Sequence, residues 1–257
     1  MKKTYSAFVA LAMAILLPAC AGSGKQSQTD SDAQAAEVTD SLAYLDPEDP
    51  NEAIAEIKTT MGDIIIGLFN DTPKHRDNFI KLADECFFDS ILFHRVIENF
   101  MIQCGDPDSK HAAPGQMLGE HDAGYTIPKE IVYPRHYHRK GAVNAAREGD
   151  DTNPEWASSS SQFCLFFGSQ FDEKTLDATV ERVRKVIPDF EMPDSVRQDY
   201  LKNGGSPHLD GQYTVFGEVL SGMEVVDKIQ KVATDDFDRP IEDVRILSVR
   251  ILRRPGV

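Results

Sequence analysis

The sequence predicts a mainly β fold closed into an antiparallel barrel. Apolar and polar residues alternate at period two in several short runs, and turn-forming residues separate those runs. Only a few stretches carry helical spacing. A closed barrel also removes the unpaired edges that many short strands would otherwise expose.

Residues 54–69 read as two strands around a Met61-Gly62-Asp63 turn, a β-hairpin. Thr72-Pro73 then opens a helix, with Thr72 as N-cap, Pro73 at the first helical position, and an apolar face of Phe79, Ile80, Leu82 and Ala83. Short strands follow. In the run 93–106, Arg95 and Ile97 face one way while His94 and Val96 face the other, and after a turn at Glu98-Asn99 Ile102 opposes Gln103. A second strand begins in Ser160-Ser161-Gln162-Phe163-Cys164-Leu165-Phe166, and a third follows the turn at Leu209-Asp210-Gly211. Residues 223–229 read as a second short helix and 244–252 as a final strand.

A chain of 257 residues with 41% hydrophobic content buries one sizeable core. The formal net charge of −15 excludes nucleic acid as the expected partner, because phosphate binding needs clustered Lys and Arg. Lys2 and Lys3 precede an apolar stretch, Ala7 to Leu17, that is too short to span a bilayer comfortably. It ends in Leu17-Pro18-Ala19-Cys20, which resembles a bacterial lipobox, so residues 1–20 are expected to be a lipoprotein signal peptide with Cys20 lipidated. Residues 21–50 are rich in Gly, Ser, Gln, Ala and Asp and read as a flexible tether. About 30 such residues span roughly 30 Å, enough to hold a folded domain at 51–257 clear of a membrane surface. Loss of Lys2 and Lys3 takes the charge from −15 to −17, so a membrane partner is reached through the lipid and not through charge.

No metal is expected. His136-Tyr137-His138, with His111 and His121 upstream, has no acidic or Cys partner nearby at ligand spacing. Nor does any Gly-rich nucleotide loop follow a strand, so no cofactor is expected. Cys86, Cys104 and Cys164 sit in apolar surroundings and read as buried free thiols, with one disulfide left open as an alternative.

A strand that sets Arg95 beside Phe100, Met101 and Gln103 places a fixed fork of donors next to apolar surface and an amide. The run Phe93-His94-Arg95-Val96-Ile97-Glu98-Asn99-Phe100-Met101-Ile102-Gln103-Cys104-Gly105-Asp106 carries the strongest signal in the chain. After it come Asn144-Ala145-Ala146-Arg147, Ser161-Gln162-Phe163, Leu209-Asp210-Gly211-Gln212-Tyr213-Thr214-Val215-Phe216-Gly217, and Gly222-Met223-Glu224-Val225-Val226-Asp227-Lys228-Ile229. In this order and over residues 53–252, the chain resembles a cyclophilin-type peptidyl-prolyl cis-trans isomerase. The resemblance implies eight antiparallel strands in a closed barrel capped by two helices, a count that periodicity alone does not give.

It also implies the site. Arg95 would stabilise the twisted prolyl amide and Gln103 and Gln162 would anchor substrate or orient Arg95. Phe100, Met101 and Leu209 would wall the proline pocket, with Cys164 and Tyr213 also on it. Ala146 and Arg147 would line the groove for the residue before proline. The resulting expectation is a monomeric, lipid-anchored isomerase of the cell envelope, acting on unfolded or proline-containing polypeptides, and the lack of an early acidic run after Cys20 favours a periplasm-facing position. The alternative is a proline-directed chaperone or binding module with little turnover.

Against the family pattern, residues 171–206 are an insertion. Leu176, Val180, Val183 and Ile187 lie at helical spacing up to Pro188, with Glu181 and Lys185 as an i,i+4 pair, and a second helix is expected from Asp194 to Lys202. The insertion enters just before Leu209, so it is expected either to pack as a flap or to border the groove. Three single positions also depart. Cys164 stands where the family usually has a second Phe, Tyr213 where it often has a His, and His208 where cyclosporin-sensitive members have a Trp. The only Trp, Trp156, lies in an unrelated stretch. Loss of the Trp predicts weak cyclosporin binding, and a sub-micromolar dissociation constant by titration calorimetry contradicts it.

Overall fold

The computed structural model describes residues 53–255, so the expected signal peptide (1–20) and tether (21–50) lie wholly outside the described residues. Ten strands and four α-helices follow one another as β1 (Ala53–Thr59), β2 (Gly62–Leu68), α1 (Pro73–Asp84), β3 (Arg95–Ile97), β4 (Met101–Cys104), β5 (Thr126–Ile127), β6 (Ala142–Ala145), β7 (Ser158–Ser159), β8 (Phe163–Phe166), α2 (Glu173–Arg184), α3 (Asp194–Asn203), β9 (Val215–Ser221), α4 (Met223–Gln230) and β10 (Ile246–Arg253). Eight of the strands form one antiparallel sheet in the order β10-β1-β2-β9-β6-β8-β4-β3, and β5 pairs with β7 separately.

The sheet curls, but its closure is less complete than the barrel expectation. Its edge strands β3 and β10 form no ladder with each other. The gap is crossed just ahead of them by an isolated Leu92–Arg245 bridge, with the amides of Ser90 and Phe93 donating to the carbonyls of Ile246 and Val244. The outer edge of β3 is covered further on, where the Val96 amide donates to the Asp238 carbonyl. An edge with its donors spent in this way is protected from pairing with another chain.

Strand alternation divides the apolar residues into two bodies. Ile57, Ile64, Ile66, Val96, Ile102, Cys104, Val143, Phe163 and Leu165 point inward and join the buried faces of α1 and α4 in the main core. Their neighbours in sequence, Met101, Ala142, Cys164, Phe166 and Val215, form a smaller buried cluster on the outer face, with Phe69. The outer cluster is the one that matters for the site.

Helix α1 starts where its Pro73 predicts, but Thr72 does not cap it through its side chain, its hydroxyl donating instead to the Phe69 carbonyl. The cap is Glu130, whose two carboxylate oxygens accept the backbone amides of Lys74 and His75. A carboxylate at the positive end of a helix satisfies orphan donors and favours the dipole together.

The insertion folds as the two expected helices. Asp172 and Thr175 form a capping box at the start of α2. Glu181 pairs with Arg184, at i,i+3, instead of with Lys185. Leu176, Val196 and Tyr200 pack with Tyr137 and Phe171, while Val180, Val183 and Phe190 pack with Tyr133 and the half-buried Ile187. The joint back to the barrel is Gly205, bridged to both Arg139 and Ser169. Its φ is +149°, and a Cβ there would stand 2.5 Å from the His138 carbonyl oxygen and 2.6 Å from the Tyr200 ring. Gly205→Ala is therefore expected to destabilise the protein by about 2–4 kcal/mol, read as a lower urea midpoint at unchanged m-value.

Candidate active site

The antiparallel register assembles the site from residues that are far apart in sequence. Arg95 lies opposite Gln103, Gln103 opposite Cys164, and Cys164 opposite Asn144. These four therefore form one row across β3, β4, β8 and β6, at steps of about 5 Å, on the outer face of the sheet. Two residues along each strand, on the same face, Ile97, Met101 and Phe166 form a parallel apolar row. Phe100 meets Phe166 edge to face at 5.6 Å, and Leu209 packs on the same cluster. An apolar floor with a guanidinium and an amide at its edge results.

Arg95 is the polar residue of this row that water reaches most. Its side chain is 45% exposed, and Nε stands 3.5 Å from Asp238 Oδ2. A pair this exposed contributes between zero and about 1 kcal/mol, so it orients the guanidinium more than it stabilises the fold. The terminal nitrogens have no acceptor among the described residues.

Gln103 Nε2 donates to Gln162 Oε1 at 2.9 Å, and Gln162 Nε2 donates in turn to the carbonyls of Gly119 and His121. Gln162 is thus occupied in fixing the loop around residue 120, and neither amide bonds to Arg95. Gln103 Oε1 has no donor among the described residues, while Gln162 lies one layer behind it. Buried amides need such partners, which explains the Gln on an apolar strand.

Ala146 closes the next edge, with its amide donating to the Gln162 carbonyl and its own carbonyl accepting from Ser159. Arg147 beside it is more deeply held than the sequence suggests. Its side chain is only 4% exposed, bonded to Asp150 and to the carbonyls of Gln212 and Glu148. Its guanidinium stacks on Tyr213 at 4.4 Å and on Trp156 at 5.2 Å. Trp156, set aside on sequence, therefore adjoins the groove residues, although it does not replace the missing Trp. That position is filled by His208, whose ring lies 5.4 Å from Phe100.

The three thiols among the described residues are free, and the sheet explains why Cys104 and Cys164 do not join. Cys104 faces the main core and Cys164 the outer cluster, on opposite faces of paired strands, so they cannot join. Burial pushes the Cys164 thiol up to about 12, with Arg95 opposing, which leaves it a neutral apolar surface. Cys86 departs from expectation in being exposed.

The histidines that sequence considered as metal donors part company. His136 pairs with Asp71 and stacks on Phe69, whereas His138 pairs with Asp210. The donors that do converge are Asp106, Asp108 and His121, and both oxygens of Asp106 already accept backbone amides, from Asp108 and Gly119.

With the geometry in place, the comparisons decide the family. A sequence model of the cyclophilin type peptidyl-prolyl cis-trans isomerase/CLD family matches residues 54–251. The chain belongs to this family. It is 33% identical over 202 residues to a candidate peptidyl-prolyl cis-trans isomerase of Staphylococcus haemolyticus, covering 78% of this chain and 92% of that protein. It is also 33% identical over 210 residues to a candidate bifunctional phosphatase/peptidyl-prolyl cis-trans isomerase of Streptococcus pyogenes, spanning 80% of this chain but only 40% of that larger protein. A crystal structure of a Cryptosporidium parvum cyclophilin type isomerase shares the fold, with a TM-score of 0.55 at 23% identity, over 79% of this chain and 99% of that one.

Sequence reasoning missed His138, Asn144 and Phe166 at this site. The period-two pattern marks Phe166, which lies two residues beyond Cys164, whereas Asn144 stood in a quoted motif without a role and His138 was weighed only as a metal donor. His94, inward-facing and 4% exposed, has no hydrogen-bond partner at either ring nitrogen. Burial holds its pKa down at about 4, against the opposing pull of Asp106. The folded protein then binds this proton less readily than the unfolded chain does, so stability present above pH 6.5 is lost as pH falls from 6.5 towards 4. The loss attributable to His94 is about 3 kcal/mol. Urea midpoints at pH 7 and pH 4.5 should fall further for the wild type than for His94→Gln, and parallel curves for the two contradict the assignment.

Proposed function

We propose that this chain catalyses cis-trans isomerisation of Xaa-Pro bonds, with Arg95 as the catalytic residue. Partial double-bond character gives such a bond a barrier of about 18–20 kcal/mol, and crossing it breaks no bond. Twisting the amide removes resonance, so the prolyl nitrogen becomes pyramidal and gains a lone pair that accepts a hydrogen bond. A donor that meets this lone pair holds the twisted state more tightly than either planar state, and the rate rises by that difference. The supporting observation is the half-exposed guanidinium of Arg95, with free terminal nitrogens, at the edge of the floor built by Met101, Phe166 and Cys164. Phe100 and Leu209 grip the prolyl ring, Gln103 accepts a backbone amide of the substrate, and Ala146 leaves room for the residue before proline.

The clients we propose are unfolded or exported polypeptides at the cell envelope. Support comes from the Lys2-Lys3 start, the apolar stretch to Leu17 and Cys20 in a lipobox-like setting, followed by a polar tether. On this reading a monomeric catalytic domain works at the periplasmic side of a membrane, held by lipid on Cys20. Among the described residues no helix is long and apolar enough to cross a membrane.

Exchange spectroscopy on an Ala-Pro peptide tests the chemistry. The wild type should accelerate cis/trans exchange, and Arg95→Ala should slow catalysis by roughly 100-fold to 1,000-fold while peptide binding persists. Binding without accelerated exchange in the wild type makes this a proline-directed binding module instead.

A further inference from the structure

The insertion ends in a buried contact that its sequence does not announce. Tyr200 of α3 is 0% exposed, and its hydroxyl donates at 2.8 Å to Oδ2 of Asp210, itself 0% exposed. The other oxygen of Asp210 accepts both the backbone amide and the Nδ1–H of His138, each at 2.9 Å. With its proton on Nδ1, the His138 ring presents Nε2 as an acceptor to Asn144 Nδ2, 3.3 Å away in the outer-face row. The same ring packs edge-on to Phe166 at 5.2 Å and to Tyr213 at 6.2 Å. Asp210 directly follows Leu209 in the turn that closes the apolar floor.

We infer that Tyr200 is a positioning residue: through Asp210 and His138 the insertion sets the Leu209 wall and the rings of the prolyl-binding face. The inference rests on the isomerase reading above. A carboxylate with no exposure is costly to bury unless donors fill its acceptor sites, and three donors fill them here. Removing the tyrosine hydroxyl withdraws one, and the turn is then free to shift toward water. Leu209 touches the prolyl ring in planar and twisted states alike, so a displaced wall weakens both equally. The signature is a raised KM at nearly constant kcat, opposite to that of Arg95→Ala.

The test uses exchange spectroscopy and peptide titration on the full-length protein with an Ala-Pro peptide. Tyr200→Phe should raise KM about fivefold to tenfold and leave kcat within about twofold. Asp210→Asn, which keeps shape and removes charge, should change the same parameter in the same direction and serves if Tyr200→Phe folds poorly. The double variant Tyr200→Phe with Leu209→Ala should bind no more weakly than Leu209→Ala alone, because the hydroxyl acts through that wall. A wild-type KM in both single variants, or an additive double variant, overturns the inference. A wild type that binds peptide without accelerating exchange overturns the isomerase reading instead, and dissociation constants from the same titrations then decide the role of Tyr200.

Discussion

The pairing of β4 with β8, which sets Gln103 against Cys164 and Cys104 against Phe163, is the constraint on which the site depends. A slip of one residue in β4 would send Ile102 and Cys104 outward and bury Gln103 in the core, and a slip in β8 would send Phe163 and Leu165 outward. The main core therefore specifies the register. Ile102, Cys104, Phe163 and Leu165 are all buried there, and each contributes roughly 1.5–3 kcal/mol by leaving water. The outer row inherits its order from that packing. Arg95 reaches the edge of the apolar floor because β3 pairs with β4 in the same frame.

Polar groups behind the site are treated differently from the one at its edge. Asp210, Gln162 and the Glu130 carboxylate are each held by two or more donors or acceptors, as burial requires. Arg147, nearly as enclosed, has a carboxylate, two carbonyls and two aromatic faces. Arg95 has a single long contact, to Asp238. A guanidinium left under-partnered and half in water keeps donors in reserve at little cost to the fold, and it stays charged across the working pH range. The contrast separates residues that shape the site from the one suited to act in it.

Period two was enough to place Arg95, Phe100, Met101 and Gln103 on or beside one surface, because alternation is a local property of a strand, whereas Cys164 was placed there only by the family resemblance. The insertion helices were equally legible from spacing and from Asn203-Gly204. What escaped was set by partners distant in sequence. Thr72 has the chemistry of an N-cap, yet Glu130 takes the α1 amides from 55 and 56 residues away. Full closure was expected, since strand count says nothing of whether the last edges meet. In the structure a bridge at Leu92 and Arg245 stands in for a ladder. Glu181 had two basic residues within reach, and geometry selected Arg184. Tyr200 read only as one residue of a helix, because its meaning lies in a turn that starts beyond the helix end.

Cys164 connects these observations. In place of the Phe that the family usually has, a Cys gives up much of an aromatic side chain's contact area, which for Phe is of order 150–250 Å². The outer cluster compensates from below, where Phe69, Phe166 and Val215 pack beside the thiol. On the function proposed above, a floor lowered in this way would leave more of the grip on a prolyl ring to the walls, Leu209 and Tyr213. Both walls belong to a turn segment that lacks strand pairing of its own and relies on side chains to hold it. Asp210 supplies that hold from within the turn, and the insertion supplies the hydroxyl that completes the carboxylate's shell. On that reading a shallower contact at the floor and a buttressed wall are two parts of one solution, to which the insertion, residues 171–206, contributes the Tyr200 hydroxyl.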